Sequence, residues 1–131
     1  MKNVYTWAAK PAKRSTTVGD LKAAKGKRKF TQVTANNVDE AAAAEKAGFD
    51  MIIANAKNVI PVREGSKNLF LTAALVLNEF VTADDIMRGA FKALENGADA
   101  VMTPRSMDIV EMLAKEDVPV MGHLGLVPRK S

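Results

Sequence analysis

The sequence predicts an α/β protein built on a parallel sheet of five strands. Three observations carry that expectation. Short apolar runs rich in β-formers alternate with segments of helical period, the order that βαβ units produce. Several helical segments have acids in their first turn and glycine just beyond their last, so the sequence marks its own helix ends. The final apolar run, Val118-Pro-Val-Met-Gly, opens onto the glycine-flanked His123. In alternating β/α proteins, functional groups sit at the carboxyl ends of such strands.

Thr17-Val-Gly-Asp20 has the form of a capping box with Asp in place of Glu, and starts a short helix from Val18 to about Lys25 that stops at Gly26. Lys27-Arg28-Lys29 leads into the first strand, Phe30 to Ala35, which alternates apolar and polar residues until Asn36-Asn37 breaks it. Asp39 to Ala47 is alanine-rich, with Lys46 in its last turn and Gly48 beyond, and reads as a helix. Phe49 to Ala54 is the second strand, apolar enough to be buried. Asn58 to Lys67 shows no helical period. Residues 56 to 68 are therefore expected to cross irregularly to the third strand, Leu69 to Ala74, over a length just sufficient for a right-handed parallel connection.

Thr82-Ala-Asp-Asp85 opens the clearest helix, with Thr82 as N-cap and Ile86, Met87, Ala90, Phe91 and Leu94 at core spacing. Asp84 and Asp85 read as dipole and capping residues rather than metal ligands. Ala98 to Thr103 is the fourth strand, Ser106 N-caps a helix reaching about Lys115, and Pro119 to Met121 is the fifth strand.

At 131 residues, 47% of them apolar, the chain has the size of one soluble domain and no run long enough to span a membrane. Zero cysteines exclude disulfides and thiolate metal sites and fit the expected cytoplasmic location. No secretory pattern opens the chain. The net charge of +4 divides unevenly. Residues 1–29 hold nine Lys and Arg against Asp20 alone, and residues 30–131 hold ten against fourteen acids. The chain thus divides into a basic N-terminal arm with a short helix, 1–29, and an α/β body, 30–131. Tyr5 and Trp7 are the arm's only aromatics and no recognition motif surrounds them, so a solvated, partly mobile arm is expected, not a nucleic-acid reader.

His123 is the sole histidine. One imidazole without a partner names no reaction, and a hydrogen bond to the backbone of a tight turn explains it equally. Arg105, with the backbone N–H groups of the helix that Ser106 opens, is a candidate hold for a phosphate or carboxylate. In the plainer alternative Arg105 is a loop residue and Ser106 only a cap.

Gly122-His123-Leu124-Gly125-Leu126, preceded by Val118-Pro119-Val120 and followed by Val127-Pro128, resembles the Gly-His-Leu-Gly-Leu-Thr-Pro strand end of the ketopantoate hydroxymethyltransferase (3-methyl-2-oxobutanoate hydroxymethyltransferase) family. The likeness runs back to about Phe30 and covers the N-terminal half of that family's chain. It implies a (β/α)8 TIM-type barrel of the phosphoenolpyruvate/pyruvate superfamily, so that residues 30–131 form a partial barrel. It also implies a pantothenate-pathway transferase that uses Mg2+ and methylene-tetrahydrofolate to hydroxymethylate an α-keto acid. His123, at a matching position, is the catalytic candidate and would orient or stabilise a substrate oxygen. The family's proposed base, a glutamate, belongs to the other half.

The metal shell that the resemblance implies is replaced. The family's Gly-Asp-Ser falls on Asn55-Ala56-Lys57, its Asp-Leu-Pro-Phe on Ala74-Leu75-Val76-Leu77, and its Lys-Ile-Glu on Met102-Thr103-Pro104. Its Tyr-Asp stands where Asn36-Asn37 stand, which read first as turn and cap residues and in the alternative as a substrate contact, and its helix between the second and third strands is shortened or lost. A hard cation favours charged oxygens, so no metal ligand is expected here, and Mg2+ and methylene-tetrahydrofolate enter only if the family activity is retained.

Three functions follow: hydroxymethyl transfer by descent, metal-independent binding of a small α-keto acid, carboxylate or phosphate by Lys57, Arg105, Ser106 and His123, or a different, metal-independent reaction of an α-keto or phosphorylated compound in the same barrel superfamily. A structural subunit is the bland form of the second. Five parallel strands leave two open edges where a closed barrel has none. A homo-oligomer or a missing C-terminal half is therefore expected to cover them, with neither membrane nor nucleic acid as partner.

Overall fold

A computed structural model describes residues 1–130. The elements run β1 (Lys2–Tyr5), β2 (Pro11–Arg14), α1 (Val18–Ala23), β3 (Gln32–Thr34), α2 (Val38–Ala47), β4 (Met51–Asn55), a 3-10 turn (Ala56–Asn58), α3 (Val59–Gly65), β5 (Phe70–Ala74), α4 (Ala83–Glu95), β6 (Ala100–Thr103), α5 (Met107–Lys115) and β7 (Val120–Gly122). From β3 onward each strand pairs in parallel with the next, in the order β3-β4-β5-β6-β7. A doubly wound sheet reverses its strand order at a switch point, whereas this one advances in a single direction. That order, with a helix in every connection, is the first half of a TIM-type barrel.

Capping chemistry sets several helix starts. Thr17 with Asp20 and Thr82 with Asp85 form reciprocal capping boxes, and Asn37 accepts from the Glu40 N–H to begin α2. Gly48 ends α2 with φ 83°, a left-handed conformation that a side chain would strain.

Side-chain alternation divides the parallel sheet into two faces. Ile52, Ala54, Leu71, Ala73 and Val101 pack toward the helices with Ile86, Leu94 and Leu113. Each large side chain buried there contributes about 1.5–3 kcal/mol. Phe70, Thr72 and Ala74 alternate with the helix-side residues of β5, so they face the barrel interior, as do Met51, Ile53, Ala100, Met102 and Met121 by register. All five residues of the central strand β5 are buried.

Three expectations from the sequence are corrected. The crossover before β5 is helical: a 3-10 turn leads into α3, which buries Val59 and Val62. Pro61 lies in the first turn of α3, where its missing N–H has no intrahelical partner to lose. With only two buried positions in seven residues, α3 is too short to show a period in the sequence.

Second, residues 2–14 are mostly solvated, as expected, but form a paired antiparallel hairpin in place of the expected partly mobile arm. Lys2 pairs with Asp20, and Arg14 is 3% exposed. Third, Phe91 is not a core residue: it is 39% exposed and meets the Trp7 ring edge to face, with centroids 5.5 Å apart. Met87 does pack against the core.

Arg14 is held at the amino ends of β5 and β6. Its Nε donates to both Asp99 oxygens at 2.8 and 2.9 Å, Arg63 Nη2 donates to Asp99 Oδ2 at 2.9 Å, and the Leu71 N–H donates to the same oxygen at 2.9 Å. Arg14 Nη1 donates to the Lys13 and Lys67 carbonyls, and Arg63 donates to those of Gly97, Ser66 and Leu69. Burial pushes the Arg63 guanidinium down to about 10, opposed by the Asp99 charge. The cluster ties the hairpin, the α3–β5 loop and the start of β6 together. Among the described residues, no helix is long and apolar enough to cross a membrane.

Candidate functional site at the strand ends

The parallel strands deliver their carboxyl ends to one rim. Asn36 follows β3, Asn55 closes β4, Leu75 follows β5, Pro104-Arg105-Ser106 follow β6 and His123 follows β7. Register sets Asn55, Ala74, Met102 and Met121 in one row across the sheet. The ladder persists just past the strands, because Leu75 N–H donates to Met102 O at 2.8 Å and His123 N–H to Thr103 O at 3.2 Å. The backbone at His123 is therefore fixed by pairing.

Three asparagines organise this rim. Asn36 Oδ1 accepts from the Asn55 N–H at 2.8 Å and from Asn58 Nδ2 at 3.1 Å, while Asn55 Oδ1 accepts from the Lys57 N–H at 3.1 Å. Both carboxamide oxygens are thus engaged. The Nδ2 groups of Asn36 and Asn55 make no hydrogen bond within the described residues, so the rim presents donors rather than acceptors. One row below, on the interior face, Thr72 is fully buried and its hydroxyl has no partner among the described residues.

The residues singled out from the sequence occupy this end but are not joined. No hydrogen bond or ion pair links any two of Lys57, Arg105, Ser106 and His123. Lys57 is exposed and pairs with Glu79 at 3.2 Å. Arg105 braces the β5–α4 loop, donating to Leu77 O at 2.6 Å and to Phe80 O at 3.0 and 3.2 Å. Ser106 is exposed, and its hydroxyl makes no cap bond; only its carbonyl serves the helix, accepting from Ile109 and Val110. That corrects the expected side-chain N-cap. The His123 imidazole is half-buried and makes no hydrogen bond to the described residues, so the tight-turn explanation of this residue does not hold.

The sequence hid the asparagine network, because each Asn alone reads as a turn or cap residue. The legible signal was the recurrence of Asn immediately after two successive strands, at 36 and at 55 and 58.

The donor set does not fit Mg2+. Ala56, Ala74 and Pro104 are buried and carry no side-chain oxygen. Two acids of this end are already engaged, Glu79 by Lys57 and Glu40 by the Asn36 N–H at 2.6 Å. Among the described residues no three His, Asp or Glu side chains gather. A hard cation needs charged oxygens, and the open groups here are the Asn36 and Asn55 Nδ2, the Ser106 hydroxyl and the His123 imidazole, none of them a charged oxygen. Such donors suit an acceptor-rich anion.

The chain matches no family model. It is 34% identical to a 3-methyl-2-oxobutanoate hydroxymethyltransferase of Deinococcus radiodurans over 127 residues, 76% of this chain and 45% of that protein. The enzyme of the same name from Kosmotoga olearia is 33% identical over 130 residues, 80% of this chain and 49% of the relative. That from Pyrobaculum calidifontis is 32% identical over 143 residues, 90% of this chain and 54% of the relative. The chain spans about half the length of the curated relatives it matches. The 143 aligned positions exceed the 131 residues of the chain, so the alignment leaves positions of the relative without a counterpart here.

Proposed function

Because the chain is homologous to one half of the 3-methyl-2-oxobutanoate hydroxymethyltransferases, we propose that its strand ends bind a small α-keto acid without a metal. The observation that supports this reading is the pair of open carboxamide donors, Asn36 and Asn55, at the rim where the family resemblance implies carboxylates around Mg2+. An α-keto acid presents a carboxylate and a keto oxygen, all acceptors. The asparagine N–H groups serve the carboxylate, Lys57 adds charge by exchanging Glu79 for the ligand, and the half-buried His123 donates to the keto oxygen. Charge-assisted hydrogen bonds of this kind each contribute about 1.5–3 kcal/mol.

Transfer of a hydroxymethyl group asks for more: a base for the proton beside the carbonyl and a stabiliser for the enolate. The rim of this chain supplies a binding surface, and the reading assigns it binding alone. The interior face leaves Met51, Ile53 and Met102 half-buried and Met121 exposed, and β3 and β7 each have one unpaired edge. The working unit on this reading includes further strands, from a second copy or a longer polypeptide. Sedimentation distinguishes the two, a dimer supporting the former.

Calorimetric titration with 3-methyl-2-oxobutanoate tests the binding. Saturable heat is expected in the presence of a chelator, unchanged by added Mg2+ and weakened about tenfold by Asn55→Ala and by His123→Ala. Heat that appears only with Mg2+, or turnover with methylene-tetrahydrofolate, overturns the reading in favour of the family chemistry.

A further inference from the structure

Beside the rim lies a second recess, between the β5–α4 loop, the segment after β6 and the residues that follow β7. It is an open, shallow depression of about 370 Å3 lined by Leu77, Asn78, Arg105, Arg129 and Lys130. That volume lies in the range of small-molecule sites, about 300–1,000 Å3. Three of its five lining residues are cations and none is an acid.

Among the described residues, the two guanidinium groups are positioned but not neutralised. The carbonyls of Leu77 and Phe80 fix the Arg105 guanidinium, and Arg129 Nη1 donates to Asn78 Oδ1 at 2.7 Å. Both contacts are to neutral oxygens. No carboxylate among the described residues pairs with Arg105, Arg129 or Lys130, although Arg14, Arg28, Lys57 and Arg63 each meet one. Arg129 also holds φ 73°, a left-handed conformation that a long side chain rarely adopts. Like charges around one small recess repel one another, and a bound anion relieves that repulsion. The open Nε and Nη2 of Arg129, the open Nη1 of Arg105 and an ammonium match a doubly charged group with several oxygens better than they match a single carboxylate.

We propose that this recess binds the phosphate group of a small phosphorylated molecule. Arg129 grips its oxygens with its open Nε and Nη2, Arg105 adds its one open group, Nη1, and Lys130 adds a point charge. The recess meets the rim at Arg105 but uses none of Asn36, Asn55, Lys57 or His123, so the proposal stands without the α-keto acid reading.

Titration of the full chain with inorganic phosphate and with pyrophosphate, followed by 31P NMR, tests the proposal. Saturable binding is expected, with acetate about tenfold weaker than phosphate. Arg129→Gln and Lys130→Gln should each weaken phosphate about tenfold, and rising KCl should weaken it further. Arg105→Lys keeps the charge but removes the open Nη1 and the brace on the β5–α4 loop, and is expected to weaken pyrophosphate as well. Thermal melting of each variant confirms that it is folded, and binding of 3-methyl-2-oxobutanoate to Arg129→Gln should equal that of the parent, which keeps the two sites distinguishable. The proposal is overturned by any of three results: no saturable phosphate binding, equal affinity in folded Arg129→Gln and Lys130→Gln, or binding of RNA without binding of inorganic phosphate.

Discussion

At the amino ends of β5 and β6, Asp99 receives Arg14, Arg63 and the Leu71 amide, all within 2.9 Å. At the carboxyl ends, Asn36 and Asn55 keep unused amide donors and His123 an unused imidazole within the described residues. The first arrangement buries charge and satisfies nearly every donor, so it holds the fold. The second leaves hydrogen-bonding capacity open on a backbone that pairing has already fixed, which is the condition for binding. A barrel divides its labour the same way, with stability at the bottom face and chemistry at the top.

If the lower end carries stability, removing its centre has the largest effect. Asp99→Ala leaves two buried guanidinium groups without their carboxylate and is expected to destabilise the protein by about 3–5 kcal/mol in urea denaturation. Next in size is the close approach of α2 and α3. A Cβ on Gly65 would lie 2.1 Å from the Val38 carbonyl oxygen, so Gly65→Ala forces the two helices apart. The expected loss is about 1–3 kcal/mol.

Beneath the rim the sign reverses. Thr72→Val removes a buried hydroxyl that has no partner and keeps the shape, so a gain of about 1 kcal/mol is expected in thermal unfolding. A loss instead would reveal that the hydroxyl serves the interior.

Acid sensitivity separates the ends more gently. The Thr31 backbone N–H, the Thr31 hydroxyl and Arg28 hold the Asp50 carboxyl below its ordinary value of 3.8. A carboxyl lowered in the folded state binds its proton more readily once unfolded. Its stabilisation is therefore present above pH 3.8 and lost as pH falls through the folded value. Asp50→Asn should flatten that part of the stability profile. Smallest of all, His123→Ala should shift stability by no more than about 0.5 kcal/mol, since its imidazole bonds nothing in the described fold.

Much of this fold was legible residue by residue. Thr17, Asn37 and Thr82 announced helix starts through local capping chemistry, and Gly48 announced an end, because such signals act within a few positions. The central strand was readable because all of Phe70 to Ala74 is buried, leaving an unbroken apolar run save Thr72. The hairpin was not readable: Arg14 is buried only because Asp99, distant in sequence, meets it, and the charge count of residues 1–29 contains no hint of that partner. Arg105 illustrates the same limit at the rim. A basic residue after a strand suggested an anion, and the carbonyls of Leu77 and Phe80 that anchor it come from a loop the sequence left without structure. His123 was found by its motif, while the asparagine network needed coordinates, since each amide's role depends on which oxygen another strand supplies.

The most direct measurement is amide NMR of the chelator-treated protein during titration with 3-methyl-2-oxobutanoate. The side-chain NH2 signals of Asn36 and Asn55 and the ring signals of His123 should move together and saturate, while the Arg14 and Arg63 guanidinium signals stay in place. Signals that remain still until Mg2+ is added, or that move at Arg14 and Arg63 instead, would contradict the assignment of binding to the carboxyl ends of the strands.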